Sequence, residues 1–426
     1  MSRSHLFRDA RVIDPETGLD SRQDVLVKGR KIAAVGETID APDGAIVTEC
    51  RGNILSPGIV DMRVFIGEPG GEHRETIRSA GRAAAAGGVT TMVMMPDTDP
   101  VIDDVALVEF VRSTAARKCA VKVKPVAALT KDMQGEQLTE FGLLKKAGAV
   151  AFSAGVESNA SAQMMRRALT YAKDFGALVI AAACDPSMGG GVMASGETAT
   201  RLGLSGVPAE AEAIALDRDM RLVGMTGSRY HAATLSSSES THIVRRAKSA
   251  GQDVTAGVAI ANLSLADQDV GAYRTYLRVT PPLRSVDDRM ALIEAVRDGT
   301  IDIICSNHMP QDVEAKRQPF AEAASGAVGL ETLLAAALRL HFTNDIPLID
   351  ILKCLTINPA KRLGLKTGRI AVGAPADMML FDPDAPWVCR EEELRSRARN
   401  TPFEGERFQG LVLKTMVSGR IVFERS

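Results

Sequence analysis

From about residue 59 onward the sequence repeats one pattern: a short apolar, β-branched run, a loop, then an amphipathic stretch rich in Ala, Leu, Lys and Arg. Such a repeat reads as a series of βα units, which confines the chain to α/β folds built on a parallel sheet. Candidate strands stand at 59–66, 89–95, 121–127, 149–152, 178–183, 229–235, 253–258 and 301–306. Helical stretches such as 73–86, 162–175 and 238–250 run into Gly87-Gly88, Gly176 and Gly251, residues suited to C-terminal caps. Eight strands alternating with helices match a (β/α)8 TIM-like barrel. An open doubly wound sheet has the same periodicity, but no G-x-G-x-x-G follows the first strand to support it.

Both ends of the chain read differently. Residues 6–47 and 368–423 show short alternating strands between turn signals such as Asp14-Pro15, Lys28-Gly29-Arg30, Gly373-Ala374-Pro375 and Ser418-Gly419-Arg420. The expected organisation is therefore a composite β-sandwich-like domain made of 1–55 and 366–426, flanking a barrel over 56–365.

Charge and cysteine usage narrow the setting. The 51 basic and 53 acidic residues are spread along the whole length, which implies no basic face for nucleic acid. Six widely spaced cysteines without a C-x-x-C pair imply reduced thiols and a cytoplasmic protein. No apolar run approaches the ~20 residues of a membrane span, and the first ten residues lack a signal-peptide core.

In a barrel of this kind the site is assembled where the βα loops converge, at the C-terminal ends of the strands. Those ends present Arg63, Phe65 and Gly67; Pro96 and Asp97; Ser153, Ala154 and Gly155; Ala182 and Cys184; His231 and Thr234; Gly257; and Ser306, Asn307 and His308. A hydrolytic zinc site wants at least three imidazole, carboxylate or thiolate groups, and this set is poor in them. Of the six histidines, His5 is terminal, His73, His242 and His341 fall on helical stretches outside a barrel, and only His231 and His308 can reach the pocket. H-x-H and H-E-x-x-H are absent.

Long segments stand out: SPGIVD at 56–61, AAAAGGVTTMVMMPDTDPVID at 83–103, GETATRLGLSGVPAEAE at 196–212, VTPPLRS at 279–285, NPAKRLGL at 358–365 and GRIAVGAPADMMLFDP at 368–383. With them the chain resembles, nearly end to end, dihydroorotases of the long bacterial type in the amidohydrolase superfamily. The resemblance implies a barrel with a flanking β-domain and the reversible cyclisation of carbamoyl-aspartate to dihydroorotate in pyrimidine biosynthesis. It also implies metal ligands at positions that here hold Arg63, Phe65, Ala154, Gly155, Ala182, Thr234 and Asn307, the last being the family's proton-shuttle aspartate. Substrate contacts of the family fall at Gly67, Asp97, Thr280 and Gln311, and Asp97 would repel a substrate carboxylate.

These replacements lead to the expectation of a non-catalytic dihydroorotase-like protein that carries no cofactor. It would be a homo- or hetero-oligomer, and the resemblance implies a structural role beside aspartate transcarbamoylase. The alternative is an active dihydroorotase or other cyclic-amide hydrolase with a rebuilt site, which would carry zinc. A third reading is a metabolite sensor acting through Arg63. Residual polar candidates for the pocket are Arg63, Asp97, Cys184, His231 and His308. Arg63 is expected to pair with Asp97, Cys184 to be a small apolar residue, and His231 and His308 to be structural. Met92, Met94 and Met95 read as core, and Gly189-Gly190-Gly191 as a flexible loop.

Overall fold

The computed structural model describes residues 4–156 and 160–425. Its first barrel strand, Ile59–Val64, is buried along its whole length, as is the second, Val89–Met94. Burial on both faces is what a parallel strand covered by helices requires, and it explains the near-continuous apolar runs of the sequence. The third strand is made of Lys122–Pro125 and Ala127–Ala128; Phe152–Ser153, Leu178–Ala181, Arg229–Leu235, Val254–Ala259 and Ile303–Cys305 follow. Successive strands pair in parallel, and a parallel bridge from Val64 to His308 closes the ring.

Alternation along these strands separates two cores. On the second strand Met92 and Met94 face the surrounding helices, while Val93 joins Met62, Phe65, Leu178 and Ile180 inside the barrel. This is the period-two geometry of a strand, and it makes the methionines core filling as expected. Helices start on side-chain caps: Thr76 with Ser79 in a capping box before Ile77–Ala86, Ser161 before Ala162–Asp174, and Ser237 before Ser238–Ser249. Beyond their C-caps the chain turns through Gly88, Gly176 and Gly251, all at positive φ.

The two ends share one sheet. Strand His5–Asp14 pairs with Leu19–Lys28 on one side and with Ile54–Pro57 on the other, and Ile54–Pro57 pairs with Met378–Val388 near the C-terminus. Arg407–Val417 and Arg420–Glu424 extend the sheet. Among the described residues the terminal strands are joined edge to edge in one mixed sheet of eight, and buried side chains from both ends of the chain, such as Val12, Val27, Met378 and Met416, share one core. Strand Ile54–Pro57 bridges the N-terminal and C-terminal groups. Among the described residues no helix is long and apolar enough to cross a membrane.

Candidate functional site

The cavity at the C-terminal end of the barrel has a volume of about 240 Å³. Arg63 from the first strand, Val156 after the fourth, Ala182 and Cys184 after the fifth and Thr234 on the sixth line it, with Thr280 and Ser325 from the loops. The Gly189-Gly190-Gly191 loop forms part of its rim. The fold thus brings together five of the positions singled out from sequence (63, 182, 184, 234 and 280) around one cavity.

Arg63 dominates the site. It is buried, its Nε donates to Oδ1 of Asn307 at 3.0 Å, and its guanidinium lies over the Phe65 ring at 5.1 Å. Asn307 in turn donates from Nδ2 to the Thr280 carbonyl at 2.9 Å. Asn307 sits at φ 50, a left-handed conformation that asparagine tolerates better than most residues. Burial pulls the Arg63 pKa down, opposed by the fields of Cys305 and Asp97. Both Nη groups are buried without a hydrogen-bond partner, and so is Oγ1 of Thr234.

The ion pair expected between Arg63 and Asp97 does not form. Asp97 turns away to accept the Val156 N–H at 2.9 Å, and its Oδ1 packs against Gly155, whose φ is +88. The loops after the second and fourth strands are thereby latched together. Burial raises the Asp97 pKa, which the Val156 hydrogen bond and Arg63 oppose.

The remaining positions do mechanical work. Gly67 allows a tight turn, since any side chain there would collide with the Gly71 carbonyl. Gln311 donates to the Ser325 carbonyl at 2.6 Å, and the hydroxyls of Thr280 and Ser325 share a hydrogen bond of 2.7 Å. His231 bonds Thr255 Oγ1 at 2.9 Å, and burial drives its pKa down to about 3, so the ring is neutral. His308 accepts from the Gly329 N–H through Nδ1, and its Nε2 lies 3.5 Å from Oε2 of Glu75. Burial pushes Glu75 up, but His308 and Ser396 outweigh that and hold it below its usual range. Cys184 donates to the Asp185 carbonyl at 3.7 Å and faces the cavity.

One histidine was misplaced by the sequence pattern. His73 lies in the turn before the first helix, not on it, because the Thr76 capping box starts that helix at Ile77. Its Nε2 reaches Oδ2 of Asp312 at 3.1 Å, joining the loops after the first and eighth strands.

Sequence reasoning also missed a buried network in the lining of the cavity. Glu212 accepts the backbone N–H groups of Ser236 and Ser237 at 2.9 and 3.1 Å and the Ser236 hydroxyl. Arg284 donates to Ser236 Oγ at 2.8 Å and to the Val207 carbonyl at 3.1 Å. Both charged residues lay in resembling motifs, VTPPLRS and GVPAEAE, which was the available signal. Asp61, fully buried below Arg63, was missed too; its Oδ1 accepts from the N–H groups of Arg63 and Ser306 at 3.3 and 3.2 Å. Burial pushes its pKa up to about 6.

A metal does not fit this donor set. Arg63 places a fixed positive charge where a metal ligand would stand, Phe65, Ala154 and Ala182 offer no donor, and the Asn307 oxygen is taken by Arg63. Among the described residues no group of three or more His, Cys, Asp or Glu side chains is arranged to hold a metal ion.

A family model described as Dihydro-orotase-like matches residues 52–240. A dihydroorotase of Pelobacter propionicus is 41% identical over 421 residues, covering 99% of both chains, and one of Geobacter metallireducens is 40% identical with the same coverage. The chain belongs to the dihydroorotase family. Its fold matches an L-hydantoinase (dihydropyrimidinase) from Arthrobacter aurescens with a TM-score of 0.91 at 24% identity, over 100% of this chain and 97% of that one. A dihydropyrimidinase from Brevibacillus agri matches with a TM-score of 0.86 at 21% identity, over 99% and 95%. These likenesses establish the barrel with its sheet domain. They also correct the expectation of a non-catalytic partner of aspartate transcarbamoylase: the full-length dihydroorotase-family relatives bear an enzyme's name from end to end.

Proposed function

We propose that this chain is a cyclic-amide hydrolase of the dihydroorotase type with a rebuilt site, interconverting dihydroorotate and carbamoyl-aspartate in pyrimidine biosynthesis. The observation that carries the reading is the strand-end cavity with the buried, half-satisfied guanidinium of Arg63 in its wall. Its volume of about 240 Å³ suits one small ring; drug-sized ligands occupy roughly 300–1,000 Å³. Arg63, Arg278 and Arg284 on the lining, against Glu212, favour an anion. The identity to enzymes named dihydroorotase supports the choice of reaction.

In the hydrolytic direction water adds to the ring amide carbonyl, the C–N bond breaks, and the departing nitrogen takes a proton to give the ureido acid. A guanidinium with undirected N–H groups stabilises oxygen that gains negative charge, and a fixed donor costs no reorganisation as that charge develops. Asn307 has no titratable carboxylate, so its part is to hold Arg63 in place. The test is an assay in both directions, following ring opening and closure by chromatography, on metal-depleted and zinc-supplemented protein. Turnover above buffer is expected. No interconversion in either direction under either condition overturns the reading.

A further inference from the structure

We propose that Arg63 and Thr234 form a receptor for a small carboxylate that works without a metal ion. The inference concerns binding; it relies on the proposed reaction only for the choice of acid.

A buried guanidinium is costly unless its donors are matched. Arg63 has three compensations: the hydrogen bond to Asn307, the Phe65 ring, and the field of Asp97 from beyond ion-pair distance. None of them reaches Nη1 or Nη2. Buried polar atoms are nearly always paired, so orphaned ones on a cavity wall call for an explanation. Thr234, another residue of the cavity lining, has a buried hydroxyl that is likewise without a partner.

The chemistry of the missing partner follows from the donors. Two terminal N–H groups of a guanidinium form a fork that matches the two oxygens of a carboxylate, and a hydroxyl adds a third donor. A cation is repelled by Arg63 itself. Of the carboxylates nearby, Glu212 is engaged by Ser236 and Ser237, and Asp97 gives Oδ1 to Val156; Oδ2 of Asp97 is buried without a hydrogen-bond partner but makes no ion pair with Arg63. Positions 63 and 234, where the family resemblance implies metal ligands, thus present fixed donors to an anion.

Titration calorimetry on EDTA-treated protein, with metal content measured alongside, tests this with three probes: dihydroorotate, succinate, and dihydrouracil, which has the ring without the carboxylate. Dihydroorotate is expected to bind without metal, and dihydrouracil at least about tenfold more weakly. Arg63→Met should lose about 100-fold in affinity for dihydroorotate without a drop in melting temperature, because it removes a buried unmatched charge. Thr234→Val, which preserves shape, should lose several-fold and carries the test if Arg63→Met does not fold. Equal affinity of Arg63→Met and wild type, binding only after zinc is added, equal affinity for dihydrouracil, or no binding of either acid overturns the receptor. Arg63-dependent binding without turnover would sink the enzymatic reading alone. Zinc-dependent turnover untouched by Arg63→Met would sink the receptor alone.

Discussion

Nε of Arg63 donates to Oδ1 of Asn307 at 3.0 Å, tying the end of the first barrel strand to the residue that follows the eighth. The bond spans the seam at which the barrel closes, and it leaves both Nη groups of Arg63, a residue of the cavity lining, buried without a hydrogen-bond partner. Asn307 is well chosen for the task. It can accept from Arg63 while donating to the Thr280 carbonyl, which a carboxylate cannot do.

Replacing Asn307 by aspartate would turn this bond into an ion pair. The new carboxylate would compete with any bound acid for Arg63 and face the Thr280 carbonyl without a proton to give. Affinity for dihydroorotate in calorimetry should fall about tenfold or more. Unchanged affinity would show that the ligand does not meet Arg63.

Asp61 supplies a pH signature. Burial raises its pKa from 3.8 to about 6, so the folded state holds a proton that the unfolded chain loses between those values. Its ionisation therefore weakens the fold as pH rises through that window, and above about pH 6 the full cost is present. Asp61→Asn keeps an acceptor for the Arg63 and Ser306 N–H groups but cannot ionise. Its stability relative to wild type should climb between pH 4 and 6 by up to about 3 kcal/mol and then level off, measured by urea denaturation across pH. A flat difference would contradict this.

Gly155 has φ +88, and a β-carbon there would stand 2.6 Å from Oδ1 of Asp97. Gly155→Ala should cost about 1–3 kcal/mol in chemical denaturation and break the Asp97 latch. Hydrogen exchange at the Val156 amide, which Asp97 holds, should accelerate as a result.

Glu212 faces two backbone N–H donors and a hydroxyl. Glu212→Gln turns an amide N–H₂ toward donors and leaves Arg284 without a counter-charge. A loss of about 2–4 kcal/mol is expected in equilibrium unfolding. A loss under half a kcal/mol would mean the network does not support the cavity wall.

Much of the barrel was legible because its signals are local. The strand expected at 229–235 is Arg229–Leu235, since a β-branched run covered on both faces has few other places to go. His73 was misread because apolar periodicity ran past the true start of the helix, which a two-residue exchange of hydrogen bonds between Thr76 and Ser79 decides. The terminal strands were legible as strands, but whether they form one sheet or two depends on the pairing of Ile54–Pro57 with Met378–Val388, over 300 residues apart.

The sequence by itself determined the family, the barrel and the residue types at each strand end, because propensity, periodicity and long motifs are carried by neighbouring residues. Tertiary structure alone decided what those residues do. Arg63 on the first strand and Asp97 in the loop after the second carry opposite charges, yet each found another partner, Asn307 and the Val156 N–H. Hydrogen bonds act over about 3 Å and in set directions, so which groups are matched and which face a cavity unmatched is fixed only once strands and loops are in register.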